Sequence, residues 1–376
     1  MHDGIADASI ITDMTLPDNP HDDTDAGAAT RRRIALWLAL CAAMVFAMVV
    51  LGGTTRLTES GLSITDWRPV TGVLPPLGEA DWQAAYDRYR TSPEFQTRNF
   101  WMSVADFKTI FWLEYLHRLW GRLIGLVFLL PFLWFLARGR LDRRLAWRLG
   151  ALFALGAAQG LMGWYMVKSG LVDRPDVSHY RLAAHLGLAF AIYGGMAWLV
   201  LELWRPARPP PAARLRTHAR AVLWWGALTV LYGALVAGLD AGMAYNTFPL
   251  MDGRLLPPDA WALTPPWLNP LENPALVQFI HRTLGVGLAL IALVLWWRAR
   301  HAAIGRAARR AVAATALMAL VQTALGIATL LSAVALPLGV AHQAGAMVLF
   351  TLALWTVYEL GATACPRREN SSAPIR

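Results

Sequence analysis

Long apolar runs separated by basic or turn-rich connections dominate this chain. Eight are long enough to cross a bilayer as single helices, at residues 33–52, 109–137, 146–167, 180–204, 219–239, 275–297, 309–331 and 338–361. They predict an all-α, polytopic membrane protein, and an even count puts both termini on one side. Two connections, 53–108 and 240–274, are long and rich in Trp, Pro and turn formers, which predicts an ordered cap over one membrane surface.

Positive charge assigns the sides. The flank at Arg31 to Arg33, the connections near 138–148, 205–220 and 298–310 and the C-terminal tail hold 21 of the 34 Lys and Arg residues, while the other connections hold nine. The first group is therefore expected to be cytoplasmic. The net charge of +9 thus follows topology and gives no reason to invoke nucleic acid. Hydrophobic residues at 56% and charged residues at 16% exclude an ordinary soluble domain. Residues 1–30 carry seven aspartates and no Lys or Arg, unlike a secretory signal or a mitochondrial presequence. Residues 1–32 are expected to be a disordered acidic cytoplasmic tail, with a second tail at 362–376. The absence of a transit peptide favours a bacterial inner membrane. Cys41 and Cys365 form no CxxC or metal spacing and read as structural.

The eight runs fall into two copies of a four-helix unit, 33–204 and 219–361, joined by a linker at 205–218. His117-Arg118 matches His281-Arg282 at an offset of 164, Gln159 matches Gln322 at 163, and His185 matches His342 at 157. The copies run in the same direction, which predicts a pseudo-two-fold axis along the membrane normal relating two four-helix bundles. At 1.5 Å per residue the four histidines lie roughly 7 to 15 Å below the external surface.

Four arginines, Arg118, Arg122, Arg181 and Arg282, also sit inside apolar runs. Ionisable groups at that depth are costly and usually serve an ion, proton or cofactor. A lone intramembrane histidine is often only an interhelical hydrogen-bonding residue. Four at matched positions, without the carboxylates or cysteines that zinc or di-iron sites use, point to axial ligation of two hemes, His117 with His185 and His281 with His342. Gly121 and Gly285, one turn beyond, leave room for a flat group. The arginines suit heme propionates, although Arg181 could instead snorkel to the surface. One turn before the first histidine of each half stands Glu114 in one and Gln278 in the other. The carboxylate marks the first half as the candidate reaction site and the amide marks the second as an electron relay. An ion pair of Glu114 with Arg118 or Arg122 is the structural alternative.

The stretches Gly52 to Ser63 (GGTTRLTESGLS), Asp66-Trp67, Phe111 to Arg118 (FWLEYLHR) and Phe279 to Arg282 (FIHR) resemble heme A synthase, closest to its proteobacterial and mitochondrial branch, over about residues 34–360. That resemblance implies oxidation of the C8 methyl of heme o to a formyl group, giving heme a for cytochrome oxidase. It implies a heme b cofactor on His281 and His342, the substrate heme on His117 and His185, and an essential role for Glu114. Expected partners are heme o, handed on from heme o synthase, the oxidase assembly pathway, an electron acceptor and the lipid bilayer. Some bacterial members carry an external cysteine pair that this chain lacks, which puts a disulfide mechanism in doubt. A di-heme b electron-transfer cytochrome and a heme-handling assembly protein remain as alternatives. Small-residue stretches such as Gly150 to Gly163 suit packing within one chain or between copies in a homo-oligomer.

Overall fold

The computed structural model describes residues 20–67, 71–171, 176–205 and 212–361. The tails at 1–19 and 362–376, Cys365 and part of the 205–218 linker lie outside them. The regular elements of the described residues are helices, with one isolated bridge between Met251 and Arg254 as the exception. Eight helices are long and apolar enough to span a membrane, and the chain is a multi-pass membrane protein. They are α1 (Pro20–Leu57), α3 (Val104–Ala137), α4 (Arg143–Gly170), α5 (His179–Trp204), α6 (Ala213–Gly238), α8 (Pro274–Arg300), α9 (Arg306–Leu331) and α10 (Leu336–Glu359). Two short helices, α2 (Glu79–Arg90) and α7 (Asn269–Glu272), belong to the long connections.

Helix α1 is longer at both ends than its apolar run. It begins at Pro20, inside the stretch expected to be disordered, because a proline at the first helical position loses no hydrogen bond. At its other end it continues through Leu57, so Gly52 to Leu57 are helical and not loop. The hydroxyls of Thr54, Thr55 and Thr58 bond back to the carbonyls of Val50, Leu51 and Thr54, which satisfies them inside an apolar bundle.

In the first half α1 packs on α3 and α5, and α4 packs on α5 and more lightly on α3. In the second half α6 packs on α8 and α10, and α9 on both of those helices. Between the halves α1 meets α10, α5 meets α6, and α5 meets α10. Exchanging α1, α3, α4 and α5 with α6, α8, α9 and α10 maps each of these pairs onto another, so the packing has two-fold form. The two apolar cores fill one end of each bundle. One uses Leu38, Cys41, Phe128, Phe135, Leu149 and Leu199, and the other uses Val222, Leu295, Val312 and Val357. Most of their buried residues lie away from the four histidines along their helices, although the packing of the first core reaches Leu186 beside His185.

The connection between α1 and α3 folds as an ordered cap. Trp82, Ala85 and Tyr89 recur on one face of α2 and bury against Phe107 and Phe111 at the start of α3. The Trp82 and Phe111 rings are 4.9 Å apart edge to face, and Tyr89 stacks on Phe107 at 5.2 Å. Ser103 and Asp106 form a reciprocal capping box that starts α3. In the second half Asn273 caps α8 through the amides of Ala275 and Leu276, and its own amide reaches the Asp259 carbonyl.

Inside the cap Glu94 is 2% exposed and accepts from Tyr89 Oη at 3.0 Å, while Asn99 donates to the same hydroxyl at 2.7 Å. Burial pushes the Glu94 carboxyl up to about 7. A raised carboxyl binds its proton more tightly in the folded cap than in the unfolded chain. Its contribution to stability is therefore complete below the ordinary carboxylate range and is lost as pH rises towards about 7. Protection of amides 85–99, taken relative to their base-catalysed intrinsic exchange rates, should accordingly be greater at about pH 5 than at about pH 8, and Glu94→Gln should flatten that difference. An unchanged pH dependence in the variant would contradict the assignment.

Candidate functional site

Each of the four histidines packs against a glycine on the neighbouring helix. A Cβ on Gly52 of α1 would stand 3.0 Å from His117 Cε1, and one on Gly163 of α4 would stand 3.2 Å from His185 Cε1. In the second half the same seats are Gly233 of α6 under His281 at 3.0 Å and Gly326 of α9 under His342 at 2.9 Å. Each ring thus occupies space that any other residue on the adjacent helix would fill.

Further hydrogen bonds hold the rings. His281 Nδ1 lies 3.1 Å from the Thr229 carbonyl. A carbonyl only accepts, so Nδ1 carries the proton and Nε2 keeps the lone pair a metal needs. Gln322 donates to the His342 carbonyl at 2.7 Å and its amide lies 3.1 Å from His342 Nδ1. Gln159 does the same for His185, at 3.1 Å to the carbonyl and 3.3 Å to Nε2. Sequence reasoning used these glutamines only to align the two halves. The signal for their role was present: a Gln one bundle position from each histidine, repeated in both copies.

The His281 and His342 ring centroids are 6.4 Å apart and their planes are 89° apart. That spacing accommodates one iron between two imidazoles with bonds of about 2 Å each. His117 and His185 interact electrostatically as a pair, and both have a buried Nδ1 without a hydrogen-bond partner. Among the described residues no cluster of three or more His, Cys, Asp or Glu could hold a bare metal ion. An ion held here must bring its remaining ligands with it, as the four nitrogens of a heme macrocycle do. A Cβ on Gly285 would meet nothing within 4 Å, and one on Gly121 would meet only Met48 Cε at 3.1 Å. The residues present therefore fit a heme in each half.

Glu114 is 3% exposed and every partner it has is a donor. Ser63 Oγ and the Ile64 amide each lie 2.7 Å from Oε2, while Arg118 Nε and Nη2 lie 3.0 and 2.5 Å from Oε1. Arg118 also donates to the carbonyls of Ile64 at 2.8 Å and Asp66 at 3.0 Å. The pair therefore pins residues 63–66 onto α3. Gln278 and Arg282 repeat the device with reversed polarity. Gln278 Nε2 donates to the carbonyls of Ala241 at 2.7 Å and Tyr245 at 3.2 Å, and its oxygen accepts from Arg282 at 3.0 Å. Arg282 in turn donates to the carbonyls of Tyr245 at 2.5 Å and Thr247 at 2.7 Å. The Glu-to-Gln difference thus matches what each loop presents: donors in the first half, carbonyls in the second.

Arg118 and Arg122 line a cavity of about 320 Å³ between the cap and α3, together with Ser63, Asp66, Arg88 and Tyr115. Arg181 lies over the Tyr165 ring at 3.6 Å and donates to the Tyr165 carbonyl at 2.6 Å. The halves also differ in closure. Only 11% of the apolar window of α3 and of α4 is buried, against 28% and 33% for α8 and α9, while α1 is buried to 44% against 22% for α6, so the exposed side of the first bundle lies at α3 and α4.

These clamps set a stability prediction. Glu114→Gln would turn an amide towards the Ile64 N–H or Arg118, and a buried donor left facing a donor costs about 1–3 kcal/mol. The variant should unfold at lower denaturant in detergent and exchange its 63–66 amides faster, and Gln278→Glu should do the same at 241–247. Equal midpoints for parent and variants would contradict the polarity matching.

Comparison with known proteins gives concordant matches. Residues 35–354 match the family described as "Cytochrome oxidase assembly protein". The chain is 53% identical over 360 residues to a heme A synthase of Rhodospirillum centenum, covering 95% of this chain and 96% of that one. It is 50% identical to a heme A synthase of Nitrosospira multiformis, covering 93% of this chain and 98% of that one. It is 49% identical to another from Paramagnetospirillum magneticum, covering 93% and 99%. With identity this high over almost the whole length, the chain belongs to the heme A synthase family.

Proposed function

We propose that this protein oxidises the C8 methyl group of heme o to a formyl group and so supplies heme a for cytochrome oxidase. The observation that carries the reading is the pair of like-built histidine sites, one beside the carboxylate of Glu114 and the other beside the amide of Gln278. Family membership supports the same reaction.

In this reading His117 and His185 hold the substrate heme in the first bundle, where its apolar tail can stay among lipid and the exposed surfaces of α3 and α4. His281 and His342 hold a heme b, which supplies one-electron transfer when bound. The His281 ring is preset for this by the Thr229 carbonyl, and Gln322 holds His342 in place through its carbonyl. Arg122 and Arg181 are assigned to the substrate propionates. Arg118 and Arg282 act through the loops they pin. Glu114 provides a negative charge and a proton-accepting oxygen beside the reacting carbon. Two successive two-electron oxidations take the methyl to the alcohol and then to the hydrated aldehyde, which loses water. In the same reading both termini are cytoplasmic and the histidines lie in the outer leaflet of a bacterial inner membrane, an orientation that the positive-charge distribution supports.

The test is conversion of heme o by the purified protein in vesicles with a chemical electron acceptor, followed by the mass and absorption of the formyl product. Glu114→Gln should keep both hemes bound and slow formyl production by about 100-fold or more. His281→Ala should lose heme b, whereas His117→Ala should keep it and fail to convert substrate. Normal conversion by Glu114→Gln would remove that residue from the mechanism. No conversion by the parent, with two heme b per chain, would make the protein an electron-transfer cytochrome.

A further inference from the structure

Consecutive glycines inside a membrane-spanning helix weaken it, so Gly52 and Gly53 in α1 need a reason. Gly52 seats His117 of the first site, as described above. Gly53 points elsewhere. A Cβ there would run into the carboxamide of Gln343 on α10, with Cδ at 2.8 Å and Nε2 at 3.1 Å. Gln343 Nε2 donates to the Val49 carbonyl of α1 at 2.7 Å. Gln343 directly follows His342, a histidine of the second site. Two dipeptides, Gly52-Gly53 and His342-Gln343, therefore join the two histidine sites through one packed, hydrogen-bonded contact.

The seam is also tight at the end of α1, where a Cβ on Gly339 of α10 would stand 2.8 Å from Leu57 Cδ1, and beside it Arg56 crosses to the end of α6, donating to the Ala237 carbonyl and to Asp240, both at 2.8 Å. Symmetry shows that the polar contact is not demanded by the fold. The two-fold partner of the α1–α10 seam is α5–α6, where the residue after His185 is Leu186, part of the apolar packing of the first core. The close approach there is between Gly187 and Leu231 Cδ2, at 2.9 Å for a built Cβ. A carboxamide placed in an apolar seam must find a partner, so its use on one seam alone singles that seam out.

We propose that Gln343 and Gly53 are positioning residues that hold the His117/His185 and His281/His342 sites at one fixed separation, so that electrons leaving the substrate site reach the second site at a defined rate. The proposal rests on the reading of two heme sites. Neither residue touches substrate in this assignment. Each acts through the histidine or histidine seat next to it in the chain.

The experiment loads the full-length protein with ferric heme in both sites and measures the iron–iron distance by pulsed EPR, alongside the rate of heme a formation. The parent should give one narrow distance. Gly53→Ala should lengthen or broaden it and slow conversion by about tenfold or more, since small displacements at reacting centres cost that much. Adding Gln343→Ala to Gly53→Ala should remove the collision and undo the lengthening, leaving only the broadening that loss of the bond to the Val49 carbonyl produces. If Gly53→Ala does not assemble, Gln343→Met decides the matter, because it keeps the volume and loses the hydrogen bond. It should broaden the distance with heme content unchanged. A parent-like distance and rate in Gly53→Ala and Gln343→Met would overturn the coupling alone, while a parent that holds fewer than two hemes would overturn the two-site reading and the coupling together.

Discussion

Four times in this chain a histidine ring occupies the space that a side chain on the adjacent helix would otherwise fill, and the site depends on that contact. The seats at Gly52, Gly163, Gly233 and Gly326 put each ring between two helices instead of on a bundle surface. Most buried residues of both apolar cores lie towards the far ends of the bundles, which leaves the histidine ends for a planar group. Apolar packing thus supplies the stability at one end, and at the other end polar groups are held by hydrogen bonds across helices. In a membrane this division is natural, since unsatisfied polar groups within the hydrocarbon layer are costly.

The duplicated halves share a frame and differ where chemistry needs them to. An acidic or amide side chain and an arginine one turn later pin the connection above each site, through Ile64 and Asp66 in one half and Tyr245 and Thr247 in the other. Glu114 serves two ends at once. It anchors the loop and brings to the first site a buried carboxylate ion-paired with Arg118. Gln278 anchors a loop whose exposed groups are carbonyls, and it brings no charge to the second site.

Much of this was legible in the sequence. The eight spans follow from hydropathy, and the two copies follow from the offsets of His117, Gln159 and His185 to their counterparts. The ordered cap was readable from the aromatic content of residues 53–108. Other features left no periodic trace. Arg118 and Arg282 read as propionate partners because an intramembrane arginine signals charge, and the fold adds bonds to Glu114 and Gln278 one turn back and to backbone carbonyls some 35 to 54 residues away in the chain. Gly52 and Gly53 read as the start of a loop because glycines usually break helices. Here each of them makes room for a side chain from another helix, a tertiary reason that overrides local propensity. The glutamines at 159 and 322 were visible as a repeat, but only the fold brings them against His185 and His342.

The central claim is that the two histidine pairs hold different hemes, a resident cofactor and a substrate. Extraction and mass analysis of the hemes bound to protein purified from cells with and without a heme o supply tests it most directly. The account predicts heme b in both preparations, joined by heme o, its alcohol or heme a only when heme o is supplied. Two heme b per chain with heme o present would contradict it.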